Sequence, residues 1–129
     1  MIENNSFPRS ILITDDHSVI RQTLREWLCE EFPELIVQEA RSGEDALEIL
    51  SSPSRPELIL LDFHLPGISG IEVTREIKRR YPQLPVLILT IQEDQVYIDR
   101  ALEAGADSYV IKRQMYNELI PSIQQVFNG

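Results

Sequence analysis

The chain has 129 residues, 43% of them apolar and 26% charged, with 21 acidic against 12 basic side chains and a formal charge of −9. This length favours one compact core over two domains, and the composition is that of a globular rather than a disordered chain. The acidic balance argues against the basic patch with which a chain grips nucleic acid, and the single cysteine, Cys29, excludes an internal disulfide.

The opening MIENNSFPRS holds no apolar run of signal-peptide length, and no stretch approaches the ~20 apolar residues of a membrane span, so a cytoplasmic protein without a membrane segment is expected. Residues 1–9 read as an N-terminal tail before a domain over 10–129. SILIT (10–14) is the first of four short runs rich in Ile, Leu or Val without strict alternation; ELILL (57–61), PVLILT (85–90) and SYVIK (108–112) follow. Continuous runs of this kind suit strands buried on both faces of a parallel sheet. ELIVQEA (34–40) alternates in part and suits an edge strand.

Helical periods separate the strands. Ile20, Leu24 and Leu28 predict a helix over 17–31, in which Cys29 reads as a packing thiol. Ser42 with Asp45, and Ser69 with Glu72, match the capping-box spacing and predict the next two helices. Val96, Ala101, Leu102 and Ala104 before Gly105 predict a fourth, ended by the glycine. Leu119, Ile120, Ile123, Val126 and Phe127 predict the last, with Pro121 implying a late or irregular start if Asn117 is its cap. Alternating strands and helices imply a three-layer α/β fold around a parallel sheet, whose ligands bind beyond the carboxyl ends of the strands.

At those ends stand Asp15, Asp16, Asp62, Thr90 and Lys112. Crowded carboxylates repel unless a cation sits among them, and magnesium is commonly held by one or two carboxylates while leaving room for a phosphate oxygen. Thr90 and Lys112 fit a hydroxyl and a point charge aimed at that phosphate, and an aspartate among them can act as its nucleophile. Singly, each has a plainer reading: helix-capping acids, a β-forming threonine, a solvated lysine. Asp62 resists it, because an acid directly behind a buried run needs a partner. His17 and His64 lack ligand-spaced Cys or His partners and read as surface or supporting residues.

ILITDDHSVIRQTL, LILLDFHLPGISGIEV, PVLILT and ALEAGADSYVIK, in this order, resemble the receiver domain of two-component response regulators from about residue 10 to 127. DDHSVIR and GADSYVIK are most similar to the subfamily that carries a LuxR-type helix-turn-helix output domain. The resemblance implies a flavodoxin-like (βα)5 fold with sheet order 2-1-3-4-5. It implies that Asp62 accepts a phosphoryl group from a sensor histidine kinase. Asp16 would bind Mg2+, or Mn2+, directly, Asp15 mainly through water, and Asp62 and the backbone carbonyl of His64 would complete the protein's share. Thr90 and Lys112 would hold phosphate oxygens, with Tyr109 as the aromatic that moves inward as Thr90 shifts. Helix four, strand five and helix five would be read by an output domain or partner, or by a second copy after phosphorylation, with transcription as the expected output. Ile91 stands where the family usually has a small residue and would narrow access; Arg113 replaces a common proline, so no cis turn is expected there. The alternatives are a receiver-like binding module that works without phosphorylation, and a phosphatase, against which His64 occupies the place of the second acid.

Overall fold

The structure, a computed structural model, describes residues 7–129; of the predicted tail, residues 1–6 lie outside the described residues. Five strands alternate with five helices: β1 (Ser10–Thr14), α1 (Ser18–Glu31), β2 (Ile36–Ala40), α2 (Gly43–Leu50), β3 (Leu58–Leu61), α3 (Gly70–Arg80), β4 (Val86–Thr90), α4 (Gln95–Glu103), β5 (Ser108–Ile111) and α5 (Met115–Asn128). All strand pairs are parallel, in the order β2-β1-β3-β4-β5. β3 is buried along its whole length, as its unbroken apolar run requires, whereas β2 lies at an edge with Ile36 62% exposed.

Each sheet face carries its own core. Leu12, Ile59, Leu61 and Ile88 pack with buried residues of α2, α3 and α4, including Leu50, Ile77 and Ala101. Ile11, Ile13, Leu60 and Leu89 pack with Leu24 and Leu28 of α1 and Leu119 and Ile123 of α5. Phe7, within the predicted tail, stacks on Phe32 with ring centroids 3.7 Å apart. No helix among the described residues is long and apolar enough to cross a membrane.

Local chemistry explains the boundaries. Ser69 and Glu72 form the full reciprocal capping box, each side chain accepting from the other's backbone N–H. At α2 the box is half made: Ser42 Oγ accepts from Asp45 N–H, but the Asp45 carboxylate accepts from Arg41 N–H instead of closing back on Ser42. Aspartate is one methylene shorter than the glutamate that closes the box at α3. Gly105, at φ 110°, ends α4: its N–H bonds Leu102 O, and Ala106 N–H bonds Ala101 O. That pair of bonds needs a left-handed residue, which glycine adopts without steric cost.

Two expectations are corrected. Lys112 does not end β5 but opens a short 3-10 turn, Lys112–Gln114, that leads directly into α5. Asn117 does not cap α5; the helix begins at Met115 and carries Pro121 inside it. The 3-10 turn already gives the chain its helical direction, so the start is irregular without being late. All peptide bonds among the described residues are trans, including that before Arg113.

Candidate functional site

In the order β2-β1-β3-β4-β5 the chain reverses direction of travel between β1 and β3, and a doubly wound sheet opens its ligand crevice at that point. Asp15 follows β1 and Asp62 follows β3. The ladder holds both acids level: Asp15 N–H bonds Ala40 O at 3.1 Å and Asp62 N–H bonds Thr14 O at 3.0 Å. Gly70 brings the start of α3 against the turn after Asp62, where a Cβ would overlap the Asp62 carbonyl oxygen. Gly70 N–H bonds Phe63 O at 3.0 Å and fixes that approach.

Lys112 joins the acids. Its ammonium donates to Asp15 Oδ2 at 2.6 Å and to Asp62 Oδ2 at 3.2 Å, and all three side chains are largely buried. The two carboxyls respond oppositely. At Asp15, burial pushes the carboxyl up, but the hydrogen bonds from Lys112 and the His17 backbone, with the charge of Lys112, outweigh it and leave it below the usual range. At Asp62, burial prevails over the attraction of Lys112, the charge of Asp15 adds to it, and the carboxyl is raised. Lys112 itself is lowered by burial yet raised on balance by its bond to Asp15 and by the charge of Asp62.

Thr90 is fully buried, its Oγ1 accepting from Gln92 N–H at 3.5 Å. Tyr109 is half-buried and donates to Gln92 O at 2.8 Å, so Thr90 and Tyr109 grip neighbouring atoms of one loop. Burial, with the charges of Asp62 and others, pushes the Tyr109 hydroxyl up to about 12, which keeps it a donor. The cleft above the acids measures about 350 Å³ and is lined by Asp16, His17, Asp62, His64, Ile91 and Lys112 among others. Ile91 stands on its rim, 68% exposed. The His64 N–H points at Asp62 Oδ1 over 3.3 Å. Asp15 and Asp16 are not helix caps: His17 holds that position in α1.

Asp15, Asp16, His17 and Asp62 each offer one ligand atom within 4.8 Å of the rest. Hard carboxylate oxygens in excess of a single ammonium are the donor set a hard divalent cation requires, so the residues present fit such an ion.

Two residues outside the expected set belong to this centre. Arg21 of α1 donates to Asp15 O at 2.6 Å and pairs with Glu39 of β2 at 3.0 Å. Arg25 also bonds Glu39, at 2.6 Å, and Val37 O at 3.0 Å, tying the edge strand to the helix that follows the acids. His17 Nδ1 lies 3.0 Å from Asp15 Oδ1 and 3.1 Å from Asp16 Oδ1. The only signal for Arg21 and Arg25 was a half-buried glutamate in a partly polar edge strand, which needs a cation beside it; nothing in the spacing of His17 distinguished it from a surface residue.

Two buried acids and one ammonium converging at the switch point, with a buried hydroxyl at the neighbouring strand end, define a doubly wound α/β domain with a charged site at the carboxyl edge of its sheet. Residues 11–124 match the model of the response regulator receiver domain, and the chain belongs to that family. It is 34% identical over 119 residues to the transcriptional regulatory protein DegU of Brevibacillus brevis, spanning 92% of this chain and 50% of that protein. It is 39% identical over 119 residues to the transcriptional activator protein ExaE of Pseudomonas putida, spanning 92% of this chain and 55% of that one. The chain thus spans about half the length of the curated relatives it matches. Among solved structures, a LuxR-family two-component response regulator from Aurantimonas superposes with a TM-score of 0.85 at 32% identity, covering 95% of this chain and 86% of that one. The fold expectation, order 2-1-3-4-5 included, is borne out.

Proposed function

We propose that Asp62 accepts a phosphoryl group from a phosphohistidine of a sensor histidine kinase, in the presence of magnesium. The observation that carries this reading is the convergence of Asp15, Asp62 and Lys112, with Thr90 buried beside Asp62, at the floor of an open cleft that Asp16, Asp62 and Lys112 line. An Asp62 carboxylate oxygen attacks the phosphorus, the P–N bond breaks, and the imidazole nitrogen leaves with the bonding pair. Asp16 and Asp62, with Asp15 through water and the His64 carbonyl, would hold the ion, which supplies charge neutralisation to the transferring phosphoryl group. Lys112 and Thr90 would then bind its oxygens. Movement of Thr90 breaks the loop geometry that Tyr109 shares through Gln92, and so carries the change toward α4, β5 and α5.

That surface would engage an output domain, a partner or a second phosphorylated copy. The relatives' names support transcription regulation, with DNA contact made by a segment other than this acidic domain, and that role would place the protein in the cytoplasm. The domain catalyses only gain and loss of its own phosphoryl group: His64 stands two residues past Asp62, where a turnover phosphatase needs a second acid. Ile91 faces solvent at the rim, which supports an accessible Asp62 over a phosphorylation-independent module. Incubation with magnesium and acetyl phosphate, followed by intact mass measurement, is expected to add one phosphoryl group. The gain disappears in Asp62→Asn; no gain with acetyl phosphate or with a phosphorylated kinase refutes the reading.

A further inference from the structure

Glu93 and Arg113 form a two-pronged ion pair beside the cleft. Arg113 Nε donates to Glu93 Oε2 at 2.8 Å and Nη2 donates to Oε1 at 2.7 Å, the fork in which a guanidinium and a carboxylate fit best. The hydrogen bond from Arg113 holds the Glu93 carboxyl below its usual range, so the pair is charged at neutral pH. The charge of Glu118 on α5 adds a smaller pull on Arg113.

The two residues belong to the two elements that a phosphoryl group would engage. Glu93 lies three residues past Thr90 on the loop between β4 and α4, and Arg113 directly follows Lys112 in the 3-10 turn. The loop is fastened twice more, by Thr90 Oγ1 accepting from Gln92 N–H and by Tyr109 donating to Gln92 O. Lys112 meanwhile donates to the Asp62 carboxylate at 3.2 Å, so the loop position that these fasteners hold is the one that goes with the free acid. Contacts made in one of two conformations shift the equilibrium toward it, and a fork between the Thr90 loop and the Lys112 turn resists movement of either past the other.

We propose that the Glu93–Arg113 pair is a latch that holds the β4–α4 loop in the position belonging to the free Asp62 carboxylate, and so slows phosphorylation of Asp62. This rests on the phosphoacceptor reading of Asp62. Neither residue touches the reacting atoms; both are positioning residues that act through Thr90 and Lys112. Their side chains are 62% and 46% exposed, so salt screens the pair and its effect is small.

The test times the mass gain of the full chain with magnesium and acetyl phosphate in the parent, Glu93→Ala, Arg113→Ala and the double variant. Each single variant is expected to gain the phosphoryl group about two- to fivefold faster than the parent at low ionic strength. The double variant is expected to match the singles instead of multiplying them, because either change opens the same latch; this cycle also separates the pull of Glu118. In ~1 M salt, where the Debye length falls to ~3 Å, the parent is expected to draw level with the variants. The shared direction is the decisive readout. Removing an acid and removing a base change the attraction of an anionic donor in opposite senses, so charge steering alone speeds one variant and slows the other. Circular dichroism checks folding, and Glu93→Gln with Arg113→Gln, which keep the side-chain length, repeat the comparison. Single variants no faster than the parent, opposite changes in the two, multiplied effects in the double variant, or a difference that persists in 1 M salt overturns the latch while leaving Asp62 as the acceptor. A parent that gains no phosphoryl group from acetyl phosphate or from a phosphorylated kinase overturns the acceptor reading and the latch with it.

Discussion

Thr14 ends β1 immediately before the acidic pair, and its hydroxyl is stranded. The residue is 1% exposed, and Oγ1 has no hydrogen-bond partner. The space beside it, walled by Ile13, Leu24, Leu60 and Leu89 among others, is too small for a water molecule. A buried donor left unmade costs about 1–3 kcal/mol. Thr14→Val keeps the branched shape and removes that cost, and the new methyl contributes up to about 0.8 kcal/mol of burial. The net expectation is a gain of about 1–3 kcal/mol, which for a domain of this size is a rise of roughly 3–5 °C per kcal/mol in midpoint. Urea unfolding followed by fluorescence of Trp27, which packs edge-on to Tyr116, measures it; chelator is added so that no ion contributes. Thr14→Ser retains the hydroxyl and loses the methyl, and is expected to be less stable than the parent. A valine variant no more stable than the parent, with an unchanged denaturant slope, refutes the reasoning by showing that the hydroxyl is bonded in solution.

Asp62→Asn is expected to be more stable than the parent at pH 7 in chelator. An acid whose folded pKa is raised contributes stability that is full below its unfolded value, ~4, and is lost as pH rises through the folded value, so the gap should close below about pH 4. Magnesium at a hundred times its dissociation constant is expected to stabilise the parent by about 2.7 kcal/mol, and Asp16→Asn to reduce that increment, as thermal unfolding with and without chelator will read. Gly70→Ala is expected to cost about 2–3 kcal/mol in urea unfolding, because its Cβ meets the Asp62 carbonyl and not a flexible side chain. Arg21→Met removes the donor to Asp15 O and is expected to weaken Mg2+ about tenfold in calorimetric titration, with Glu39→Gln weakening it less.

The layers and the sheet were legible because apolar runs without alternation fit few arrangements. ELILL admits little besides a strand covered on both faces, and its Leu58–Leu61 is buried throughout. The strand-end residues were legible for a related reason: a polar residue abutting such a run must sit at the sheet's edge. What stayed hidden depended on side chains that meet across the chain. Arg21 reaches the carbonyl of Asp15 and the carboxylate of Glu39, which is 18 residues away, and no local period encodes either contact. The start of α5 was misplaced because capping rules favoured Asn117, whereas the 3-10 turn at Lys112, whose ammonium Asp15 and Asp62 pull on, leads straight into a helix that begins at Met115.

That pull also explains why two acids of the same kind, sharing one lysine, are unequal. Asp15 holds Lys112 at 2.6 Å and accepts from the His17 backbone, so its charge is secured and its carboxyl lies low. Asp62 receives Lys112 at 3.2 Å and a long bond from His64, so burial is less fully offset and its carboxyl lies high. Opposed shifts in neighbouring acids mark a division of labour. The secured acid suits the standing charge that a cation needs, while the poorly compensated one holds its electron pairs loosely and gains most from a new bond. A phosphoryl group on Asp62 would replace a badly stabilised buried carboxylate with a dianion reachable from the cleft. Lys112 could then shift toward its oxygens from a contact it already makes, so the switch starts with its cation in place.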